Sequence, residues 1–320
     1  MPFANADFDE IITTTLKNRS KKIARNIINN NGFLDYLKMR GNTQIEDGGE
    51  TLVEALDFAE NDTFKYYDGY ETLDVSASNV LSSAQYDWKQ AAVNVVLSGR
   101  EIRQNSGSDT RVINLLAGKI QNCEDTFYNR IGADLYADGT GSGGKEIGGL
   151  QLLVADAPGT GTVGGIDRSA FTFWQNKFQD TTAATAANIQ GFMNGLMLEC
   201  TDGMKKPNLI LADAKYYNFY WTSLQEIQRI NTSHHGEAGY ETLAYRGPHG
   251  KAEVIYDPNA PTNHMYFIET SCIKWRAHRD ANFTPTEQKV AVNQDAIVRP
   301  MLLMANLTMS NARVQGVLFE

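Results

Sequence analysis

Cysteine is scarce in this 320-residue chain: Cys123, Cys200 and Cys272 are far apart, odd in number and never arranged as C-x-x-C. That argues against a disulfide framework and a zinc-finger site, and suits a reducing compartment. Histidine is nearly as rare. Of His234, His235, His249, His264 and His278, only His234-His235-Gly-Glu237 brings possible metal ligands together. Adjacent histidines in a polar, Gly-containing stretch do not share a helix face as H-E-x-x-H does, so the segment reads as a solvated loop. No run of 18 apolar residues occurs, and the start, MPFANADFDE, lacks the basic-then-apolar layout of a secretory signal. The expectation is a soluble, non-exported chain without a membrane partner. A G-x-S-x-G nucleophile elbow is also missing. No catalytic constellation emerges, and the expectation is a protein that is not an enzyme, with no cofactor and no metal. Net positive charge is absent too: at −9, the chain does not read as a dedicated nucleic-acid binder, whose affinity needs a basic surface.

What is present is a 42% hydrophobic composition, enough for a sizeable core, on a chain long enough for two lobes. Charge is unevenly spread. Residues 17–25 hold Lys17, Arg19, Lys21, Lys22 and Arg25, whereas 41–75 hold Glu46, Asp47, Glu50, Glu54, Asp57, Glu60, Asp62, Asp68, Glu71 and Asp74 against Lys65 alone. The basic stretch, with Ile12, Leu16, Ile23 and Ile27 at helical spacing, predicts a short helix with a solvated face, an arm that docks on a partner or on nucleic acid being the lesser alternative.

From Gly48 to Val75 the pattern is strand-like: ETLVEALDFA, a turn near Asn61-Asp62, then FKYYDGYETLDV. This predicts a two-stranded ribbon. Such a ribbon is marginal alone in water and should lean on other surface, that of another subunit included. Ala91–Gly99 predicts a buried strand. Val112, Leu116, Ile120, Cys123, Phe127, Ile131 and Leu135 recur every three or four residues, predicting a helix over 110–137 of about 40 Å, with Ser108 or Asp109 as its cap. Further along, helices are expected over 187–199 and 214–229, and strands at 208–212, 252–256, 265–269 and 272–279 and through the C-terminal stretch from Ile297.

Gly139-T-G-S-G-Gly144-Lys145 fits the phosphate-binding pattern G-x-x-x-x-G-K, but Glu146 stands where a Ser or Thr should hold magnesium. The loop also follows the long helix instead of preceding one. Leu209-ILA-Asp213 resembles a strand ending in a magnesium-binding aspartate, a pattern common in any α/β core. A nucleotide-binding enzyme is therefore a minor alternative.

The order of these parts resembles the major capsid protein of tailed bacteriophages, the Hong Kong 97-type fold. The resemblance spans nearly the whole chain and rests on element order, not on a diagnostic motif. It implies an α+β fold with an N-terminal arm (1–46), an extended β-hairpin loop (47–75), a peripheral domain (76–179) with the spine helix 110–137, an inserted axial domain (180–270), and return strands of the peripheral domain (271–320). It further implies self-assembly into hexamers and pentamers of an icosahedral shell enclosing double-stranded DNA in a virion. The partners it implies are a separate scaffold protein, since the chain has no room for a scaffolding segment, a portal, and a decoration protein as a further candidate. An encapsulin-like shell is the alternative on the same fold. On this reading Leu52, Glu54, Leu56, Asp57, Phe58, Phe64, Tyr66, Tyr67 and Tyr70 contact a neighbouring subunit. Arg111, Arg130, Arg168, Lys274, Arg276 and Arg279 are the candidate complementary cations.

Overall fold

The computed structural model describes residues 31–104, 109–227, 243–285, 289–290 and 294–320. The helix expected over 12–27, the Ser108 cap and the His234-His235 loop lie outside them. The first described helix is Gly32–Met39, capped by Asn31, whose side chain accepts from Leu34 N. Phe33, Leu34, Tyr36 and Leu37 are buried on it.

Two sheets organise the chain. In the first, β14 (Ala296–Met309) is central: β12 (Ile273–Pro285) and β13 (Lys289–Val290) pair along one edge, β4 (Lys89–Ser98) along the other, and β1 (Thr43–Glu46) runs parallel to β12. β4 is buried on one face only. Val95 and Leu97 point inward while Asn94 and Val96 are exposed, which corrects the reading of 91–99 as a buried strand; the alternation is that of a half-covered antiparallel sheet.

The spine helix spans Asp109–Asp134, about 39 Å at 1.5 Å per residue, ending slightly earlier than its periodicity predicts. Cys123, Phe127, Ile131 and the following Leu135 are buried, and Phe127 packs edge-on against Phe283 of β12, centroids 6.0 Å apart. The helix also closes the free edge of β4: Lys119 Nζ donates to Val96 O (3.3 Å) and Cys123 Sγ lies 3.7 Å from Asn94 O. Edge carbonyls that would invite another strand are thereby occupied.

The second sheet runs β7 (Lys177–Asp180), β15 (Gly316–Phe319), β11 (His264–Ile268), β8 (Leu209–Ala212), β10 (Gly250–Tyr256), β9 (Leu243–Gly247). Its Ile210, Ala212, Val254, Met265, Phe267 and Leu318 pack on helices Ile189–Glu199 and Ala214–Ile227. The alternate residues Leu209, Leu211, Ile255, Tyr266, Ile268 and Val317 enter a core shared with Phe33, Leu135, Tyr136 and Leu150. Both faces are covered, which is why β8 reads as an unbroken apolar run.

Two boundaries shift. β7 and β15 belong to the second sheet, so neither 76–179 nor 271–320 stays wholly with the first. Gln315 explains the crossing of the chain end: its amide accepts from Glu269 N (2.9 Å) and donates to Glu269 O (3.2 Å), delivering Gly316 into register beside β11. Alternation along the strand marks which face is apolar but not which sheet it joins.

Asp35 of the first helix is 5% exposed, and its Oδ1 has no hydrogen-bond partner among the described residues. Burial raises its pKa from 3.8 to about 7, with Lys38 pulling the other way. The folded state thus keeps a proton that the unfolded chain releases, and this group's stabilisation is lost as pH rises from about 4 to 7. Asp35→Asn is expected to flatten that decline. Urea midpoints at pH 5 and pH 8 should show the variant gaining roughly 2–4 kcal/mol on wild type across the window; parallel declines would show that Asp35 is ionised at no cost.

Candidate assembly surface

The base of the extended loop is a hairpin of β2 (Thr51–Asp57) and β3 (Leu81–Asp87), in register Leu52↔Tyr86, Glu54↔Ala84 and Leu56↔Ser82. The return strand is therefore Leu81–Asp87, not FKYYDGYETLDV, and the loop extends past Val75. Among residues 58–80 the backbone makes turns, with Phe64 N bonded to Asn61 O and Glu71 N to Asp68 O. Asp68-Gly69 breaks the aromatic run, whereas LSSAQYD places Ser83, Gln85 and Asp87 outward beside an exposed Leu81, with Ala84 and Tyr86 inward. Low β-propensity hides such a strand from sequence reasoning.

The inward face of the hairpin is clamped to its own subunit. Tyr86 OH donates to Met309 O (3.0 Å) and accepts from Met309 N (3.3 Å). Asn306 Nδ2 donates to Asp87 O (2.8 Å). Glu54 is 5% exposed. Its carboxylate accepts from Arg276 (2.6 Å), Lys274 (3.2 Å) and the Thr308 hydroxyl (2.9 Å), while Arg276 also donates to Val53 O (3.2 Å) and lies 3.7 Å from Glu46.

This corrects part of the predicted contact set. Leu52, Glu54 and Leu56 face the chain's own core, because period-2 alternation turns them towards β14. Lys274 and Arg276 are engaged by Glu54 within the chain. Arg168 is an interior residue, 1% exposed, donating to Leu153 O; burial lowers its guanidinium pKa to about 10. Arg279 pairs with Asp47 in the same chain at 2.8 Å, with both side chains well exposed. Arg130 is exposed on the spine helix, and the Arg111 side chain is outside the described residues.

The loop beyond the hairpin presents the opposite picture. Phe58 stacks on Phe173 at 4.9 Å, but Phe64, Tyr66 (90%), Tyr67, Tyr70 (fully exposed), Leu73 and Val75 (94%) stand in solvent, as does Asp57. Contiguous exposed apolar side chains of this size mark an interaction surface.

The phosphate-loop alternative fails on geometry. Residues 139–149 fold back onto the end of the spine helix, with Gly149 N bonded to Ala137 O and Leu150 N to Leu135 O. A Cβ on Gly149 would lie 2.4 Å from Asp134 O, so glycine is required for backbone approach, and no cradle is left for a phosphate. The Ser142 hydroxyl donates to Glu146 (2.9 Å). Asp213 caps the next helix, accepting from Tyr216 N (2.8 Å) and Asn263 N (2.9 Å), so each oxygen of the carboxylate already has a structural partner. Among the described residues no cluster of three or more His, Cys, Asp or Glu could hold a metal. Burial keeps the thiols of Cys123 and Cys200 protonated by raising their pKa values, so neither is poised as a nucleophile.

No protein-family model and no curated protein matches the chain. Solved structures do. The capsid asymmetric unit of cyanophage A-1(L) is similar over 88% of this chain and 91% of that one, at 14% identity and a TM-score of 0.61. The capsid of an empty GTA particle covers 88% and 95%, at 11% identity and 0.55. The SrpI encapsulin of Synechococcus elongatus covers 88% and 86%, at 10% identity and 0.52. The chain therefore has the Hong Kong 97-type capsid fold, α+β, shared by tailed-phage capsid proteins and encapsulins.

Proposed function

We propose that this chain is the major capsid protein of a tailed phage, self-assembling through hexamers and pentamers into an icosahedral shell around double-stranded DNA. The observation that carries the proposal is the extended loop: its base is clamped to its own sheet while its aromatic tip is left in solvent. Within a capsid fold, such a tip is suited to a neighbouring subunit. Burial of its rings supplies affinity, since exposed ion pairs are worth only about 0.2–1 kcal/mol each, and charge sets register. Phe58, Phe64, Tyr66, Tyr67, Tyr70 and Asp57 stay in the proposed contact. The shell role makes the chain a structural protein of the virion, not an enzyme, with scaffold, portal and decoration proteins as the partners of assembly.

Replacing residues 60–78 by a short Gly-Ser bridge, which spares the buried Leu52, Glu54 and Leu56, is expected to leave a folded subunit that forms no shells. Sedimentation with circular dichroism reads both properties. Intact shells from the deletion would refute the intersubunit role. The likeness to an encapsulin favours one second reading, a shell around protein cargo. Particles that contain a co-purifying protein instead of DNA would select it.

A further inference from the structure

His264, the first residue of β11, has a side chain only 13% exposed. Both of its ring nitrogens face acceptors: Nδ1 lies 2.8 Å from Thr262 O, and Nε2 lies 3.1 Å from Asp156 Oδ2. A neutral imidazole has one N–H and one lone pair. A carbonyl cannot donate, so a neutral ring bonded to Thr262 turns its Nε2 lone pair towards the Asp156 carboxylate. The doubly protonated ring satisfies both contacts.

The surroundings favour that charge. Besides Asp156, the second carboxylate near the ring is Asp213, whose backbone N–H bonds His264 O (3.2 Å). Lys215, on the helix after β8, is held by Glu320 and by Asn263 Oδ1 (3.1 Å), so its charge is balanced at the chain end. The imidazole lies against the rings of Tyr266 and Phe319, at centroid distances of 5.9 and 6.2 Å, and burial keeps the Tyr266 phenol neutral. Burial of the ring itself opposes protonation, but Asp156, Thr262 O and Asp213 outweigh it and raise the pKa above 6.5.

Asp156 belongs to the stretch that leaves the core around the spine helix for the second sheet. Leu150 and Leu153, just before it, are fully buried in that core. Ala155 N donates to Asn176 Oδ1 (3.0 Å), and Asn176 Nδ2 donates back to Ala155 O (2.8 Å), beside the start of β7. His264 thus bonds this crossing from the far side, out of a strand that also pairs with the chain end at Phe319.

We propose that His264 is a proton-operated latch: charged, it ties the 154–156 crossing to β11 and the chain end, and neutral, it releases that crossing. The folded chain holds this proton more tightly than the unfolded one, so the latch is fully closed below pH 6.5 and is lost as pH rises through the higher folded value. It operates within one subunit and does not depend on the shell reading.

Hydrogen–deuterium exchange of the full-length chain at pH 6 and pH 8.5, with labelling times scaled to the intrinsic rate, is the test. It reads the amides of Val154 and Ala155, whose bonds to Leu150 O and Asn176 Oδ1 close the crossing. Wild-type protection should fall by at least about fivefold between the two pH values, as expected of a local opening. Asp156→Ala, at a half-exposed side chain, should show the lower protection at both. His264→Gln keeps a donor for Asp156 and cannot titrate, so its protection should not change with pH. Asp35 is common to all three chains, and its titration cancels in the comparison. Unchanged wild-type protection, an equal fall in either variant, or an Asp156→Ala chain as protected as wild type at pH 6 would overturn the latch. Should His264→Gln prove insoluble, Asp156→Ala decides alone.

Discussion

Phe127→Ala is expected to cost about 3–5 kcal/mol, the range for truncating a buried aromatic residue. Phe127 is 2% exposed, lies midway between Cys123 and Ile131 on the buried stripe of the spine helix, and meets Phe283 edge-to-face at 6.0 Å. Truncation removes both the ring's burial and its pairing with Phe283, and helix and strand are too rigid to close the gap. Domains typically have only about 5–15 kcal/mol to lose, so much of the variant should be insoluble or unassembled. Urea unfolding is the measurement, with Phe127→Leu as a control that keeps most of the volume. A loss below about 1 kcal/mol would mean that this face of the helix is not packed as described.

Glu54→Ala should be comparably damaging, for an electrostatic reason. Removing one partner of a buried charge cluster leaves the others without compensation, at about 3–5 kcal/mol. Arg276, 12% exposed at its side chain, would lose its 2.6 Å contact, Lys274 its 3.2 Å contact, and the Thr308 hydroxyl its acceptor. Arg276 Nε already has no partner among the described residues, so little local compensation exists. Replacing the cluster with apolar residues, Glu54→Leu with Arg276→Met, should recover much of the loss, since buried ion pairs are often no better than well-packed hydrocarbon. Denaturant midpoints of the single and double variants decide it. A single variant as stable as wild type would show that the clamp does not hold the loop base. A double variant no better than the single would show that packing, not unpaired charge, is what Glu54 supplies.

The spine helix was legible because seven apolar residues at helical spacing leave little choice of face. The helix after β8 was legible for the same reason, and β8 itself because burial on both faces leaves an unbroken apolar run. The loop was half legible: β2 alternates plainly, but β3 is built from Leu81, two serines, Ala84, Gln85, Tyr86 and Asp87, and its inward residues become recognisable only once Ala84 and Tyr86 are seen against Met309 and Gly164. The aromatic run 64–75 drew the strand assignment because β-propensity favours Tyr and Phe, although propensity registers a half-buried pleated surface and these rings face solvent. The candidate cations were drawn from Lys and Arg near the sheet. Burial and partners then separated them: Lys274 and Arg276 serve Glu54, and Arg168 is enclosed.

By itself the amino-acid order determined the mixture of helices and strands, the long helix, the acidic loop ahead of it, the basic stretch near the start and the mismatch of the Gly-rich loop with phosphate binding. These are local properties, set by side-chain period, by turn chemistry and by charge counted along the chain. Only the tertiary structure decided which strand closes the hairpin, that β15 leaves the first sheet for the second, and which of the loop's residues belong to its own core. Strand pairing and charge neutralisation join residues hundreds of positions apart, as Glu54 joins Lys274, Arg276 and Thr308. No window along the chain contains both partners of such a contact.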